Sequence, residues 1–232
     1  MGIRGVLMDF SGTMFRLEMN QNWQQGTEFG ELEPLEVERE EQILRAMTAP
    51  VEPTVGLPPD LREDWARRDF DPEVHRRVSI AVLQATGLAE FDVANAFYDR
   101  LIDAGSWQPY PDTRAALERL RAARVPIAVV SNISWDIRRV FDRHGLTDLV
   151  DEFVLSYLEG VVKPDPKIFQ TACERLGLRP EETLMIGDSA EADGAAAAIG
   201  ASVAIVPPLP TKERPNALLD ALTEHGVAAR TD

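Results

Sequence analysis

Short apolar runs that each stop on a polar residue constrain this chain more than any other feature. Gly5 to Met8 leads into Asp9, Ile127 to Val130 into Ser131, Phe153 to Leu155 into Ser156, and Leu184 to Ile186 into Gly187 and Asp188. A fifth run, Ser202 to Val206, ends in prolines. All are β-rich and apolar at both parities, which predicts strands buried on both faces of a parallel sheet. Between them, a helical period predicts helices over Thr113 to Ala123, Trp135 to His144, Pro166 to Leu176 and Glu191 to Ile199. Strand–helix alternation of this kind implies a doubly wound α/β core with right-handed crossovers.

The interval from Phe15 to Trp107 breaks the alternation. It offers no convincing strand, but four helical candidates: Pro34 to Met47, Pro59 to Arg68, Pro72 to Thr86 and Glu90 to Ala104. Prolines suit first-turn positions, while Gly87 and Gly105 suit stops. The division expected is a core of residues 1–15 and 108–232, with a helical insert over residues 16–107. Charge supports that division. The chain has 39 acidic and 24 basic residues, and Arg16 to Trp107 hold 19 of the acidic but only 9 of the basic ones. The formal charge of −15 argues against nucleic acid or an anionic membrane as the main partner.

One cysteine, Cys173, leaves no internal disulfide and no Cys-rich zinc site, and its helical setting suggests a small buried side chain. The first residues show no secretory pattern, and Val6 argues against myristoylation. Glycine and prolines interrupt the uncharged stretch from Gly194 to Thr211, so no membrane span is expected. The expectation is a soluble, cytoplasmic protein. Nothing in the sequence sets an oligomeric state.

In a doubly wound sheet, ligands bind beyond the carboxyl ends of the strands. Asp9, then Ser131 with Asn132, then Lys163, then Asp188 with Asp193 stand at or after successive strand ends. Each has a bland alternative: Asp9 caps a turn, Ser131 caps a helix, Lys163 is a surface lysine, and Asp188 opens a solvated helix. Four such groups in order are harder to explain as coincidence. Only three lysines occur in the chain, so one in this series carries weight. With the segments VLMDFSGTM, IAVVSN, EGVVKPDPKIF and LMIGDSAEAD, the chain resembles the haloacid dehalogenase-like hydrolase superfamily, and the insert resembles that family's helical cap.

The resemblance implies a nucleophile, Asp9, that attacks phosphorus and forms an aspartyl-phosphate. It implies magnesium held by the Asp9 carboxylate, the Ser11 carbonyl and Asp188, hard oxygen ligands that suit this ion. Asp193 either binds the metal, directly or through water, or holds its loop. Gly12, Ser131, the Asn132 amide and Lys163 would bind phosphate, Gly12 standing with Thr13 in the turn after the nucleophile. A small phosphorylated molecule is the expected substrate.

One residue departs from the family pattern. Phosphatases of this family usually carry a second Asp two residues after the nucleophile, which protonates the leaving group; here Ser11 stands in that position. Serine cannot shuttle protons near neutral pH, and such help is typically worth roughly 10²–10⁴ in rate. The departure admits slow turnover, a long-lived intermediate or an acid supplied by the cap. It also leaves open a catalytically weak phosphometabolite-binding protein and a carbon–halogen hydrolase, since displacement of halide needs no acid. Dehalogenases of the family lack the acidic pair of the last motif, whereas Asp188 and Asp193 are present here. The insert has no lysine for Schiff-base chemistry. For His75, His144, His225, Trp23, Trp65 and Trp107, structural or exposed positions are the expectation, and for Glu28 to Glu41 a solvated face.

Overall fold

The computed structural model describes residues 2–18, 48, 57–85, 87 and 91–227. In chain order, β1 (Gly5–Met8) and β2 (Phe15–Leu17) are followed by helices α1 (Pro59–Arg67), α2 (Pro72–Ala85) and α3 (Phe91–Leu101). Next come β3 (Trp107–Pro109), α4 (Thr113–Ala122), β4 (Ile127–Ser131), α5 (Arg138–Arg143), β5 (Glu152–Leu155) and α6 (Ser156–Glu159). The chain continues through α7 (Pro166–Leu176), β6 (Thr183–Gly187), a 3₁₀ segment (Gly194–Ile199), β7 (Ser202–Ile205) and α8 (Ala217–Glu224).

Five parallel strands form one sheet in the order β5-β4-β1-β6-β7. Alternate side chains of the central strands enter separate cores. Val6, Met8, Ile127, Val129, Leu184 and Ile186 pack on one face with Leu117 and Phe141. Leu7, Ala128, Val130 and Met185 pack on the other with Phe169, Ala172 and Cys173. Apolar residues at both parities therefore have a direct cause: both sheet faces are covered. Cys173 is buried and free.

Strand order places β1 between β4 and β6, so the residues that follow these three strands share one sheet edge. Helix α7 begins where its sequence dictates, with Pro166 in the first turn and the Asp165 side chain accepting from Lys167 N at 2.9 Å. It ends at Gly177, whose φ of 66° is left-handed.

Three expectations need correction. The interval from Phe15 to Trp107 is bounded by strands: β2 and β3 pair antiparallel, Phe15 opposite Pro109 and Leu17 opposite Trp107. Each is three residues long and its partner is about ninety positions away, so neither leaves a local pattern. The helix expected over Trp135 to His144 is confined to Arg138–Arg143. The one expected over Glu191 to Ile199 is a 3₁₀ segment from Gly194, pinned between Asp193 and a left-handed Gly200. The helix expected over Pro34 to Met47, Trp23 and the run Glu28 to Glu41 lie outside the described residues.

His75, on α2, is buried and its Nδ1 lies 3.0 Å from the Tyr98 hydroxyl. Burial, reinforced by the Arg68 charge, pushes its pKa down to about 3 from 6.5. The folded state therefore holds a neutral ring, whereas the unfolded chain takes up a proton as pH falls below 6.5. Between pH 6 and 5, this group should remove about 1.2 kcal/mol of stability. Urea unfolding at several pH values should show that increment in the wild type and its loss in His75→Asn. Equal pH slopes in the two proteins would show that His75 does not titrate in this way.

Candidate active site

Asp9 leaves β1 with its amide bound to Ile186 O at 2.9 Å, so the neighbouring strand fixes where its carboxylate starts. Its two oxygens have different partners: Oδ1 accepts from Lys163 Nζ at 2.6 Å and Oδ2 from Thr13 Oγ1 at 3.3 Å. Lys163 Nζ also donates to Asp193 Oδ1 at 2.6 Å. One buried ammonium thus joins two buried carboxylates. The lysine is held from behind by Asn132, whose Oδ1 accepts from Lys163 N and whose Nδ2 donates to Lys163 O. The Asn132 side chain is therefore committed to positioning the lysine.

Asp188 completes a group of three carboxylates, each offering an oxygen within 4.8 Å of the others. It forms no ion pair among the described residues. Burial, then repulsion from Asp9 and Asp193, pushes its pKa up to about 8. Burial also raises Asp9 to about 6, with Asp193 adding to the shift and Lys163 opposing it. Lys163 itself is held above its ordinary value by the two carboxylates, which outweigh burial together. Three carboxylates facing one ammonium leave an excess of negative charge. Hard oxygen donors in that state fit a divalent cation such as magnesium.

Glycine permits this crowding at two places. A Cβ on Gly187 would come within 2.1 Å of Asp193 Cγ, so only glycine lets that carboxylate reach the end of β6 and accept from Ser189 N. Gly12 has φ +73°, and a Cβ there would sit 2.4 Å from Asp188 Oδ2. Ser11 is half-buried beside this turn, between Asp9 and Gly12. Ser131 ends β4 and is buried, with no hydrogen-bond partner for its hydroxyl among the described residues.

The doubly wound sheet thus brings the ends of β1, β4 and β6 and the segment carrying Lys163 to one edge, around a carboxylate–lysine centre. The model of the haloacid dehalogenase-like hydrolase family matches residues 3–200. The chain belongs to this family.

Curated relatives of the chain include dehalogenases and phosphatases. (S)-2-haloacid dehalogenase 1 of Pseudomonas sp. is 36% identical over 121 residues, 51% of this chain and 52% of its own length. Glyceraldehyde 3-phosphate phosphatase of Methanopyrus kandleri is 38% identical over 87 residues, 37% of each chain. The chain thus spans about half or less of the curated relatives it matches. Among solved structures, L-2-haloacid dehalogenase from Xanthobacter autotrophicus superposes with a TM-score of 0.62 at 26% identity, covering 94% of this chain and 83% of that one.

The structure brings Asp9, Lys163, Asp188 and Asp193 into contact or close approach, with Asn132 bound to Lys163 and Gly12 against Asp188; Ser131 ends β4, and Ser11 lies in the turn after Asp9. His75 and Trp65 are buried in the helical segment, Trp107 is buried beside Phe10, and His144 and His225 end α5 and α8. Two further buried charged residues of the chain have no motif to announce them. Arg214, buried and stacked 3.2 Å over the Tyr110 ring, donates to the carbonyls of Gly12 and Thr13. It holds the turn after Asp9 from a segment two hundred residues away. Asp69, between α1 and α2, is buried in an ion pair with Arg68, Nη2 to Oδ2 at 3.4 Å. In the sequence both are ordinary charged residues, Asp69 in RRDF and Arg214 in KERP, and only tertiary packing distinguishes them.

Proposed function

We propose that the protein is a magnesium-dependent phosphatase acting on a small phosphate ester, with Asp9 as nucleophile and residues 16–107 as a cap over a core of 1–15 and 108–232. What carries this reading is the third carboxylate. A carbon–halogen displacement by Asp9 needs a lysine to orient the carboxylate, but gains nothing from Asp188 beside it. Attack on a dianionic phosphate needs that excess charge offset.

Asp9, Asp188 and the Ser11 carbonyl would hold the cation. The chemistry it supplies when bound is neutralisation of phosphate charge and alignment of the phosphoryl group. Lys163 fixes the Asp9 carboxylate through Oδ1 and provides positive charge for the phosphoryl oxygens. The unpartnered Ser131 hydroxyl and the Asn132 amide are available as donors to the same oxygens. Asp193 holds Lys163 and the Ser189 amide, which supports the loop-holding role for it. Attack by an Asp9 oxygen forms the O–P bond as the ester P–O bond breaks; water then cleaves the aspartyl-phosphate and regenerates Asp9.

A second reading is favoured by the dehalogenase relatives and by Ser11: a hydrolase in which Asp9 displaces halide from carbon. The two separate in one experiment. With 4-nitrophenyl phosphate, whose leaving group needs no proton, the phosphatase reading predicts release of 4-nitrophenol that requires magnesium and stops on chelation. Halide release from a 2-haloacid, unaffected by chelator, together with no phosphate ester hydrolysis, would replace it with the second reading.

A further inference from the structure

From Phe10 to Phe15, every backbone carbonyl but one has a hydrogen-bond donor among the described residues. Phe10 O accepts from Met14 N and Phe15 N, Phe15 O from Gly12 N, and Met14 O from Tyr110 N and Thr113 Oγ1. The carbonyls of Gly12 and Thr13 both accept from a single side chain, Arg214, through Nη1 at 2.8 Å and through Nη2 respectively. Ser11 O is the exception. Buried backbone oxygens are nearly always paired, so the one left over marks where the turn has an acceptor to spare.

Arg214 is only 3% exposed, yet it forms no ion pair among the described residues, and its Nε has no hydrogen-bond partner. A guanidinium kept from water without a carboxylate is costly. What holds it is the pair of carbonyls and the Tyr110 ring, whose centroid lies 3.2 Å from its Cζ. The stretch from Tyr110 to Thr113 ties both sides of this contact together. It binds Met14 O on one side; on the other, the Tyr110 hydroxyl donates to Leu209 O at 2.9 Å, and Asp112 Oδ2 accepts from the amides of Leu218 and Leu219. Arg214 spans the space between. The two residues it grips both reach the carboxylate centre: Thr13 Oγ1 donates to Asp9 Oδ2 at 3.3 Å, and the Cβ position of Gly12 is 2.4 Å from Asp188 Oδ2.

Resting on the magnesium-dependent phosphatase reading, we propose that Arg214 is a positioning residue for the cation: its planar fork occupies the carbonyls of Gly12 and Thr13, and so holds the Ser11 carbonyl as the one backbone oxygen of the turn left for magnesium. A fork of two parallel donors suits two adjacent carbonyls in a way that a single ammonium does not. Charge alone predicts the opposite sign, because taking a positive charge out of this part of the molecule would tighten the binding of a cation. The direction of the change therefore separates positioning from simple electrostatics.

Magnesium binding is measured by calorimetric titration and by the rise of Tm with added magnesium, alongside hydrolysis of 4-nitrophenyl phosphate. In Arg214→Met the dissociation constant for magnesium should rise roughly 10–100-fold, as loss of a group that orients a metal ligand typically costs. The magnesium needed for half-maximal hydrolysis should rise with it. At saturating magnesium, kcat should stay within about threefold of wild type, since Asp9 and Lys163 keep their contacts. Arg214→Lys, which keeps the charge but not the fork, should give a constant between the two. Should Arg214→Met fail to fold, Arg214→Lys decides, with a rise of at least about threefold expected. An unchanged or tighter constant in the folded variant, even with a lower Tm, would overturn the role of Arg214 while leaving the phosphatase reading intact. So would a loss of kcat that saturating magnesium does not restore. No magnesium binding by the wild type in either measurement would instead overturn the phosphatase reading, and the inference with it.

Discussion

Replacing Asp9 by Asn is expected to abolish turnover, by at least about 10⁴-fold, without lowering stability at neutral pH. The two effects have one cause. Asp9 is an ionised carboxylate kept in a buried site, which raises its pKa from 3.8 to about 6. A group whose folded pKa lies above its unfolded one stabilises the fold at low pH and gives up that stability as pH rises through the folded value. Above pH 6, the charged Asp9 therefore costs the folded state energy, and the amide removes that cost along with the nucleophile. Asn keeps the shape of the side chain, and Lys163 keeps Asp193. Thermal unfolding at pH 7 should show a Tm at or above that of wild type, with no steady-state hydrolysis of 4-nitrophenyl phosphate. A stable Asp9→Asn protein with near-normal activity would remove Asp9 from the chemistry.

Lys163→Met should have the opposite balance, with large losses of both stability and activity. Lys163 Nζ lies 2.6 Å from each of Asp9 and Asp193 with its side chain only 4% exposed. Without it, three carboxylates share a buried site with no cation of the protein to offset them. Removing one partner from a buried pair typically costs about 3–5 kcal/mol, because the other charge is left uncompensated. Urea unfolding should report a loss in that range, and added magnesium should recover part of it by binding the folded state. A loss under about 1 kcal/mol would show that the carboxylates take up protons cheaply and that the lysine is dispensable to the centre.

How much of this was legible in the sequence depends on the range of the interaction that creates each feature. β1, β4, β5 and β6 could be read because burial on both sheet faces imposes apolar residues at both parities, a local signal. Asp9, Ser131, Lys163 and Asp188 could be read because a parallel sheet places its ligand edge at strand ends, so position within the alternation implies convergence. The ribbon of β2 and β3 could not, since three-residue strands leave no period and their pairing spans about ninety residues. The segment after Asp188 reads as a regular helix because its alanines favour one, while Asp193 is drawn into the site by Lys163 and the Ser189 amide. Arg214 and Asp69 were invisible for a third reason. Charged residues default to solvent in a sequence reading, and what buries these two is the return of the C-terminal segment onto Gly12 and Thr13 and the anchoring of the α1–α2 turn on Ser156.

Trapping the covalent intermediate tests the central claim most directly. Wild-type protein mixed with 4-nitrophenyl phosphate and magnesium, quenched in acid during the first turnover and digested, should yield the peptide containing Asp9 with one added phosphoryl group. The label should be absent without magnesium and absent from Asp9→Asn. A phosphoryl group on any other residue, or no label while 4-nitrophenol is released, would contradict the account of Asp9 as the nucleophile of a phosphoryl-transfer site.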